Sequence, residues 1–439
     1  MNTDTLKRYI INKNADIRHL SIKPRNVKIP VTKNLMTVVV GARRVGKTYA
    51  VLDLVINKLK FADGKFIYLN FEDLGLKGAS PDILDAAINL SHQLYGTLAE
   101  ILILDEIHDL EGWQNAVYSL FERKRFSIIL TGSSSKLLSR EIATQLRGRS
   151  VTIHMYPLSF EESLQFTGNH PGHNLDLLPD LRENEVKHLL LKYLTSGGLP
   201  DVILDPSVSD KFYRDYVELT IFKDMVERHG IKNIFVIKLL INSALSSFAK
   251  EYSINAIYNQ LRGEHVRVSR KTLYSYSSLL EDVFFSFLLK KFDFSRRKSE
   301  LSMPKIYLND VGPATLAQDL NNNLGKCMEN TVYMEFRRKR NDEAGMEIYY
   351  YRSPRGEVDF LVVNRGKVQQ MAQVTFANSR SEIRDREINA LVETSEKFSC
   401  DDLIVITWGY SGVEVIENRR ITFSPLWKWL LQERPTEHD

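Results

Sequence analysis

Cysteine is nearly missing: Cys327 and Cys400 are the only two in 439 residues. Two thiols cannot frame a disulfide scaffold and match no zinc-ligand spacing, so a reducing, cytoplasmic setting is expected. Long apolar runs are also lacking. No stretch approaches about 18 consecutive apolar residues, and the opening MNTDTLKRYIINKNADIRHL has no apolar signal region, so neither membrane insertion nor secretion is expected. Neither sign of charge dominates, with 59 Lys and Arg against 55 Asp and Glu and a net charge of +4. A nucleic-acid partner cannot be argued from that total, only from local clusters.

What the chain does have, up to about residue 160, is alternation. The apolar runs 35–40, 65–71, 99–104, 126–131 and 150–156 are separated by TYAVLDLVINKL, SPDILDAAINLSHQL, EGWQNAVYSLFERK and SKLLSREIATQL. Those intervening segments carry apolar residues at three-to-four spacing, which predicts helices. Near-continuous apolar strands alternating with helices predict an α/β fold with a parallel sheet covered on both faces. A polar stretch at 167–180 reads as a linker, 181–300 as largely helical, and the region after 301 as a second, mixed α/β domain.

The first strand runs into Gly41, Ala42, Arg43, Arg44, Val45, Gly46, Lys47 and Thr48, with Tyr49 opening the next helix. This is the phosphate-loop spacing GxxxxGK[ST], in which glycines let backbone amides turn toward phosphates. Lys47 is expected to reach the β- and γ-phosphates of ATP and Thr48 to hold Mg²⁺. The strand 101–104 ends in Asp105 and Glu106. Beside a phosphate loop, Asp105 would hold Mg²⁺ through water, and Glu106 would orient and deprotonate the attacking water. After the strand 126–131, Thr131, Ser133 and Ser134 are candidates to sense the γ-phosphate, or to cap the helix expected at 136–147. That helix ends in LRGR. Arg149 could stabilise the transferring phosphoryl group, in its own subunit or in a neighbouring copy, or could suit the helix dipole.

The stretches GARRVGKT, NFED, ILILDEIHDLEGW, TGSSSKLL, LRGR, YPLSFEE and GGLP together resemble prokaryotic, especially archaeal, AAA+-class ATPases with a C-terminal domain of unknown function. The resemblance runs along nearly the whole chain. It implies a P-loop AAA+ core at 1–160, a helical lid at 161–230, a winged helix at 231–300 and a nuclease-like domain at 301–439. ATP and Mg²⁺ are the implied ligands, and a homo-oligomer is an implied assembly.

Two later regions bear on partners. In 253–292, two short helices around a turn have helix-turn-helix proportions, and Arg262, Arg267, Arg270, Lys271 and Tyr274 could meet DNA. The same module also packs between protein domains. KKFDFSRRKSE (290–300) would suit a hairpin wing, and Arg214, Lys223, Asp224 and Arg228 lie on a helix from which a base could reach nucleotide. By the family resemblance, EVDF (357–360) and QVT (373–375) correspond to the two core strands of the PD-(D/E)xK nuclease-like fold, with Glu329 from the preceding helix. Active members carry a carboxylate and a lysine where this chain has Gln373 and Thr375. The domain is therefore expected to bind DNA or protein without cutting, with Arg337, Arg338, Lys339, Arg340, Arg352, Arg355 and Arg365 as candidate phosphate contacts.

Overall fold

A computed structural model describes residues 3–134, 148–172 and 174–432. Two units divide the chain: Met1–Tyr156 with Asp282–Phe284, and Pro157–Glu281 with Phe285–Asp439. In the first, the five apolar runs form β1 (Met36–Gly41), β2 (Phe66–Asn70), β3 (Ile101–Asp105), β4 (Ser127–Gly132) and β5 (Ser150–Met155). All neighbours are parallel, in the order β2-β3-β4-β1-β5. Every residue of β1, β3 and β4 is buried, as expected of central strands covered on both faces. Helices α1 (Thr3–Arg18), α2 (Lys47–Asp53), α3 (Ile83–Tyr95) and α4 (Trp113–Glu122) belong to this unit. The helix expected at 136–147 lies outside the described residues.

Because the strands are parallel, their carboxyl ends share one edge. Gly41 is in register with Met155, Val40 with Gly132 and Asn70 with Asp105. The strand order reverses around β1, which puts the phosphate loop at the place where ligands bind open α/β sheets.

The second unit begins with helices. Ser159 opens α5 (Phe160–Thr167) through a capping box: its hydroxyl accepts from Glu162 N (3.1 Å), and the Glu162 carboxylate accepts from Ser159 N (2.9 Å). The YPLSFEE stretch is thus a helix start. It is followed by α6 (Asp180–Ser196), α7 (Pro200–Leu204), α8 (Ser209–Leu219) and α9 (Ile234–Ser247). GGLP is a tight crossing. Gly197 has φ +83°, and a Cβ there would sit 1.9 Å from Asp310 Oδ1. Next come β6 (Lys250–Glu251), α10 (Ile254–Gly263), α11 (Arg270–Asp282), β7 (Ser286–Leu289), α12 (Arg296–Leu301) and β8 (Lys305–Leu308). The strands pair antiparallel in the order β6-β8-β7.

The region expected as a hairpin wing departs from that expectation. Residues 296–301 are helical, and Phe292 N donates to Tyr350 O (2.8 Å) while its ring packs edge-on against Tyr349 and Phe398. Alternating aromatics here serve a packed seam rather than a free loop.

The C-terminal strands are β9 (Met346–Arg352), β10 (Glu357–Asn364), β11 (Lys367–Val374), β12 (Leu403–Thr407), β13 (Gly412–Ile416) and β14 (Arg419–Pro425). They form one mixed sheet, ordered β13-β14-β12-β11-β10-β9. The β10–β11 hairpin turns on Arg365 and Gly366, both with positive φ, between the paired Asn364 and Lys367. Helices α13 (Leu324–Asp342), α14 (Asp385–Phe398) and α15 (Leu426–Leu431) accompany it. The core joins Ile388, Leu391 and Val392 of α14 to Leu361, Met371, Val405 and Phe423 of the sheet. Among the described residues, no helix is long and apolar enough to cross a membrane.

Asp310 generates a prediction. Its carboxylate accepts from Gly198 N (2.7 Å), Gly312 N (2.7 Å) and the Tyr213 hydroxyl (3.2 Å). Burial pushes its pKa up to about 6, although the two amides and the hydroxyl hold it down. A raised carboxyl favours folding while protonated, and that contribution is lost as pH rises from about 4 through about 6. In urea unfolding, the stability of wild type minus that of Asp310→Asn should fall across that interval. A flat difference would contradict the burial argument.

Candidate functional site

At the carboxyl edge of the first sheet, the chain gathers its charged residues around β1, β3 and β4. Gly46 precedes α2 with φ +90°, a backbone conformation that glycine adopts without strain, and Arg44 is also left-handed at φ +64°. Lys47 is buried. Its Nζ donates to Gly41 O and Ala42 O, each at 3.1 Å, and lies 3.3 Å from Glu106 Oε1. The ammonium therefore stands within the loop, facing the end of β3.

Asp105 takes three hydroxyls. Thr48 and Tyr68 each donate to Oδ2 at 2.7 Å, and Thr131 donates to Oδ1. Burial raises its pKa and the charge of Glu106 adds to that, partly offset by the Thr131, Tyr68 and Thr48 hydroxyls. Glu106 is held differently. Its backbone is left-handed (φ 48°, ψ 47°), a conformation that costs of order 1–3 kcal/mol for a residue other than glycine. Its N–H donates to Thr131 Oγ1 (3.0 Å), and its Oε2 accepts from Ser133 N (3.1 Å). Burial raises the Glu106 pKa, but Lys47, His108 and Arg43 outweigh it and hold the group at about 2. The two neighbouring acids are thus shifted in opposite directions, Glu106 downward and Asp105 upward.

Thr48 and Asp105 are hard oxygen donors side by side, a set that fits Mg²⁺ completed by water and phosphate oxygens. Among the described residues, no three or more His, Cys, Asp or Glu gather as a metal cage. Arg43, within the loop, is paired with Glu72 at 2.6 Å, and Tyr49 is half exposed on α2. Ser134 Oγ donates to Asp282 Oδ1 (3.0 Å).

Arg149 is not with them. Its carbonyl accepts from Met36 N (2.9 Å), at the start of β1, and its guanidinium pairs with Glu122 at the end of α4. The phosphate loop leaves the other end of β1, about 17 Å away at 3.3 Å per residue. The structure therefore does not bring Arg149 to its own phosphate loop: it precedes β5 at the amino edge of the sheet.

Sequence reasoning missed Tyr68. It lies on β2 two residues before Asn70, the register partner of Asp105, so the strand period places it on the same face as Asn70. The lid-region charges are engaged locally, Lys223 with Glu227 (3.0 Å) and Arg228 with Asp224 (3.4 Å).

A second constellation lies within the other unit. Lys305 Nζ, buried on β8, is 2.9 Å from Glu329 Oε1, 2.6 Å from Glu357 Oε1 and 3.3 Å from Asp359 Oδ1. The Tyr307 hydroxyl donates to Glu329 (2.6 Å), and Val374 N donates to Asp359 Oδ2 (3.0 Å). Burial lowers the Lys305 pKa, but Glu329 and then Tyr307, Asp359 and Glu357 raise it well above its ordinary value. Burial and Glu329 push Asp359 up, and Lys305 offsets this only in part. Gln373 is buried, its side-chain oxygen accepting from Asp359 N (3.3 Å). These acids floor a cavity of about 520 Å³ bordered by Arg352, Arg355 and Arg386. Three other arginine-run residues are engaged internally: Arg337 over Phe287, Arg338 with Glu335, and Lys339 over Trp429.

Residues 33–164 match an AAA domain, and residues 187–324 and 324–429 match two domains of unknown function (DUF8612 and DUF4143). The chain is 33% identical over 415 residues to the uncharacterized protein MJ1544 of Methanocaldococcus jannaschii, covering 93% of this chain and 90% of that one. It is 26% identical over 404 residues to an uncharacterized Haemophilus influenzae protein, covering 91% and 95%. Among solved structures, C. elegans PCH-2 is similar at 12% identity and TM-score 0.29, over 47% of this chain and 62% of that one.

Thr131 is fully buried and serves both acids. Thr131→Ala leaves the Glu106 N–H and an Asp105 oxygen without this partner, and should cost about 1–3 kcal/mol of stability. A lower urea midpoint at unchanged m value is the expected result.

Proposed function

This chain belongs to the family of the Methanocaldococcus jannaschii protein MJ1544 and carries a segment that matches an AAA domain, and from that premise we propose a Mg²⁺-dependent ATPase whose nucleotide state controls binding of a partner. The observation that carries the reading is the Lys47–Glu106 pair, 3.3 Å apart at the carboxyl edge of the sheet. Lys47 now rests on two loop carbonyls and Glu106. The β- and γ-phosphates of ATP offer that ammonium a stronger, charged acceptor. Lys47 turning to them would leave Glu106, ionised and oriented by Ser133 N, to accept a proton from the attacking water. Mg²⁺, held by Thr48 and by Asp105 through water, would neutralise charge on the phosphates. Arg149 stands at the opposite edge, so a part for it in phosphoryl transfer would be played in the site of a neighbouring copy of a homo-oligomer.

For the partner, DNA is the favoured candidate. The order α9, β6, α10, α11, β7, β8 with sheet order β6-β8-β7 supports a winged helix at 231–300, between a helical lid (161–230) and the C-terminal domain (301–439). Arg262, Arg267, Arg270, Lys271 and Tyr274 are all exposed, as phosphate and groove contacts require.

Lys305 favours a second reading, an ATP-gated DNA nuclease. From the sequence this is the alternative reading, weakened because Gln373 and Thr375 stand where active members carry a carboxylate and a lysine. Here an ammonium from β8 reaches the same acids, and its charge could stabilise a developing phosphorane.

Lys47→Ala should abolish ATP binding, and Glu106→Gln should bind ATP without turning it over. Protein that neither binds nor hydrolyses ATP with Mg²⁺ would overturn the ATPase reading. Rates measured with duplex, forked and single-stranded DNA test the partner. Cleavage of those DNAs with Mg²⁺ or Mn²⁺, lost in both Asp359→Ala and Lys305→Ala, is the outcome expected of a nuclease. No cleavage by wild type removes that reading.

A further inference from the structure

The segment before β1 sends one side chain to the phosphate loop. Arg25 is 7% exposed; its Nη1 donates to Val45 O, and its Nη2 donates to Tyr156 O at 2.9 Å. Val45 is itself fully buried. A loop can aim its amides at an anion only if its carbonyls point the other way, and a buried carbonyl needs a donor. Two of the loop carbonyls, Gly41 O and Ala42 O, take that donor from Lys47. Val45 O takes it from Arg25.

We propose that Arg25 is a positioning residue of the nucleotide site, holding the Val45–Gly46 peptide so that the Gly46 N–H faces the bound phosphates. The peptide is planar and trans, so fixing its C=O on one side fixes the Gly46 N–H on the opposite side. Gly46 is also the residue at φ +90° that lets the loop turn into α2, and a Cβ on it would lie 3.4 Å from Arg25 Nη1. The planar fork of a guanidinium spans two carbonyls with one rigid group, which an ammonium does not match. Tyr156 is the last residue before the chain enters the second unit. One guanidinium therefore holds both the phosphate loop and the exit of the domain. The Lys47 contacts give way when phosphates arrive, whereas those of Arg25 lie behind the loop and persist.

The role rests on the ATPase reading and can be separated from it. In Arg25→Ala, affinity for ATP should fall about tenfold or more, the factor for one charge-assisted hydrogen bond. The change should appear in KM rather than kcat, and millimolar guanidinium ion should restore it. Arg25→Lys, which keeps the charge without the fork, should lose affinity to a smaller extent at an unchanged thermal midpoint. Wild-type affinity in either variant, or a loss in Arg25→Ala that guanidinium fails to restore, overturns the proposal. Wild-type protein that binds no ATP defeats the ATPase reading instead.

Discussion

Placing a lysine and a glutamate 3.3 Å apart in a buried loop constrains everything around it. Each charge would be strongly disfavoured there without the other. The sheet solves this by parallel register: β1, β3 and β4 end at one edge, so residues 59 positions apart meet. The left-handed turn at Glu106 is tolerated because Thr131 and Ser133, from the next strand, take its N–H and its carboxylate. Asp105, one residue earlier, is bound by hydroxyls alone and keeps an upward-shifted pKa. Two adjacent acids thereby acquire opposite pKa shifts from their neighbours, one upward and one downward.

The same principle recurs in the second unit with the proportions reversed. There three acids surround one lysine, and arginines occupy the rim of a cavity. The buried Lys305 ammonium and the buried Asp359 carboxylate again require each other, with Glu329 and Glu357 half-buried beside them, but the groups come from two sheets and a helix. Stability of that region is therefore tied to its electrostatics. The GGLP crossing adds a further buried acid, Asp310, satisfied by two backbone amides and the Tyr213 hydroxyl rather than by an ion pair.

Much of the first unit was legible in the sequence because its signals are local. Apolar runs gave β1 to β5, and the loop and Asp105-Glu106 have fixed spacing. What escaped reading was set by distance along the chain. Tyr68 and Lys305 reach their acids across 37 and 54 or fewer positions, and no short pattern announces them. Arg25 meets carbonyls, which leave no mark in a sequence at all. The LRGR spacing does not say at which edge β5 begins, and Arg149 lies at the amino edge. The aromatic-basic run at 290–300 was read as a wing, but its Phe292 packs on Tyr349 and Phe398. YPLSFEE and GGLP, visible only as family texture, are a helix cap and a close backbone crossing.

Lys305 rides on β8, in the three-stranded sheet, whereas Glu357 and Asp359 ride on β10, in the six-stranded one. The ammonium reaches the acids only while these two sheets stay docked. At hydrogen-bonding distances near 3 Å, a slide of a few ångströms would uncouple lysine from carboxylates without altering either sheet. The cluster is complete only in an arrangement that brings its two carriers together. A constellation borne on a single hairpin, as the strand pair alone suggests, would have no such dependence.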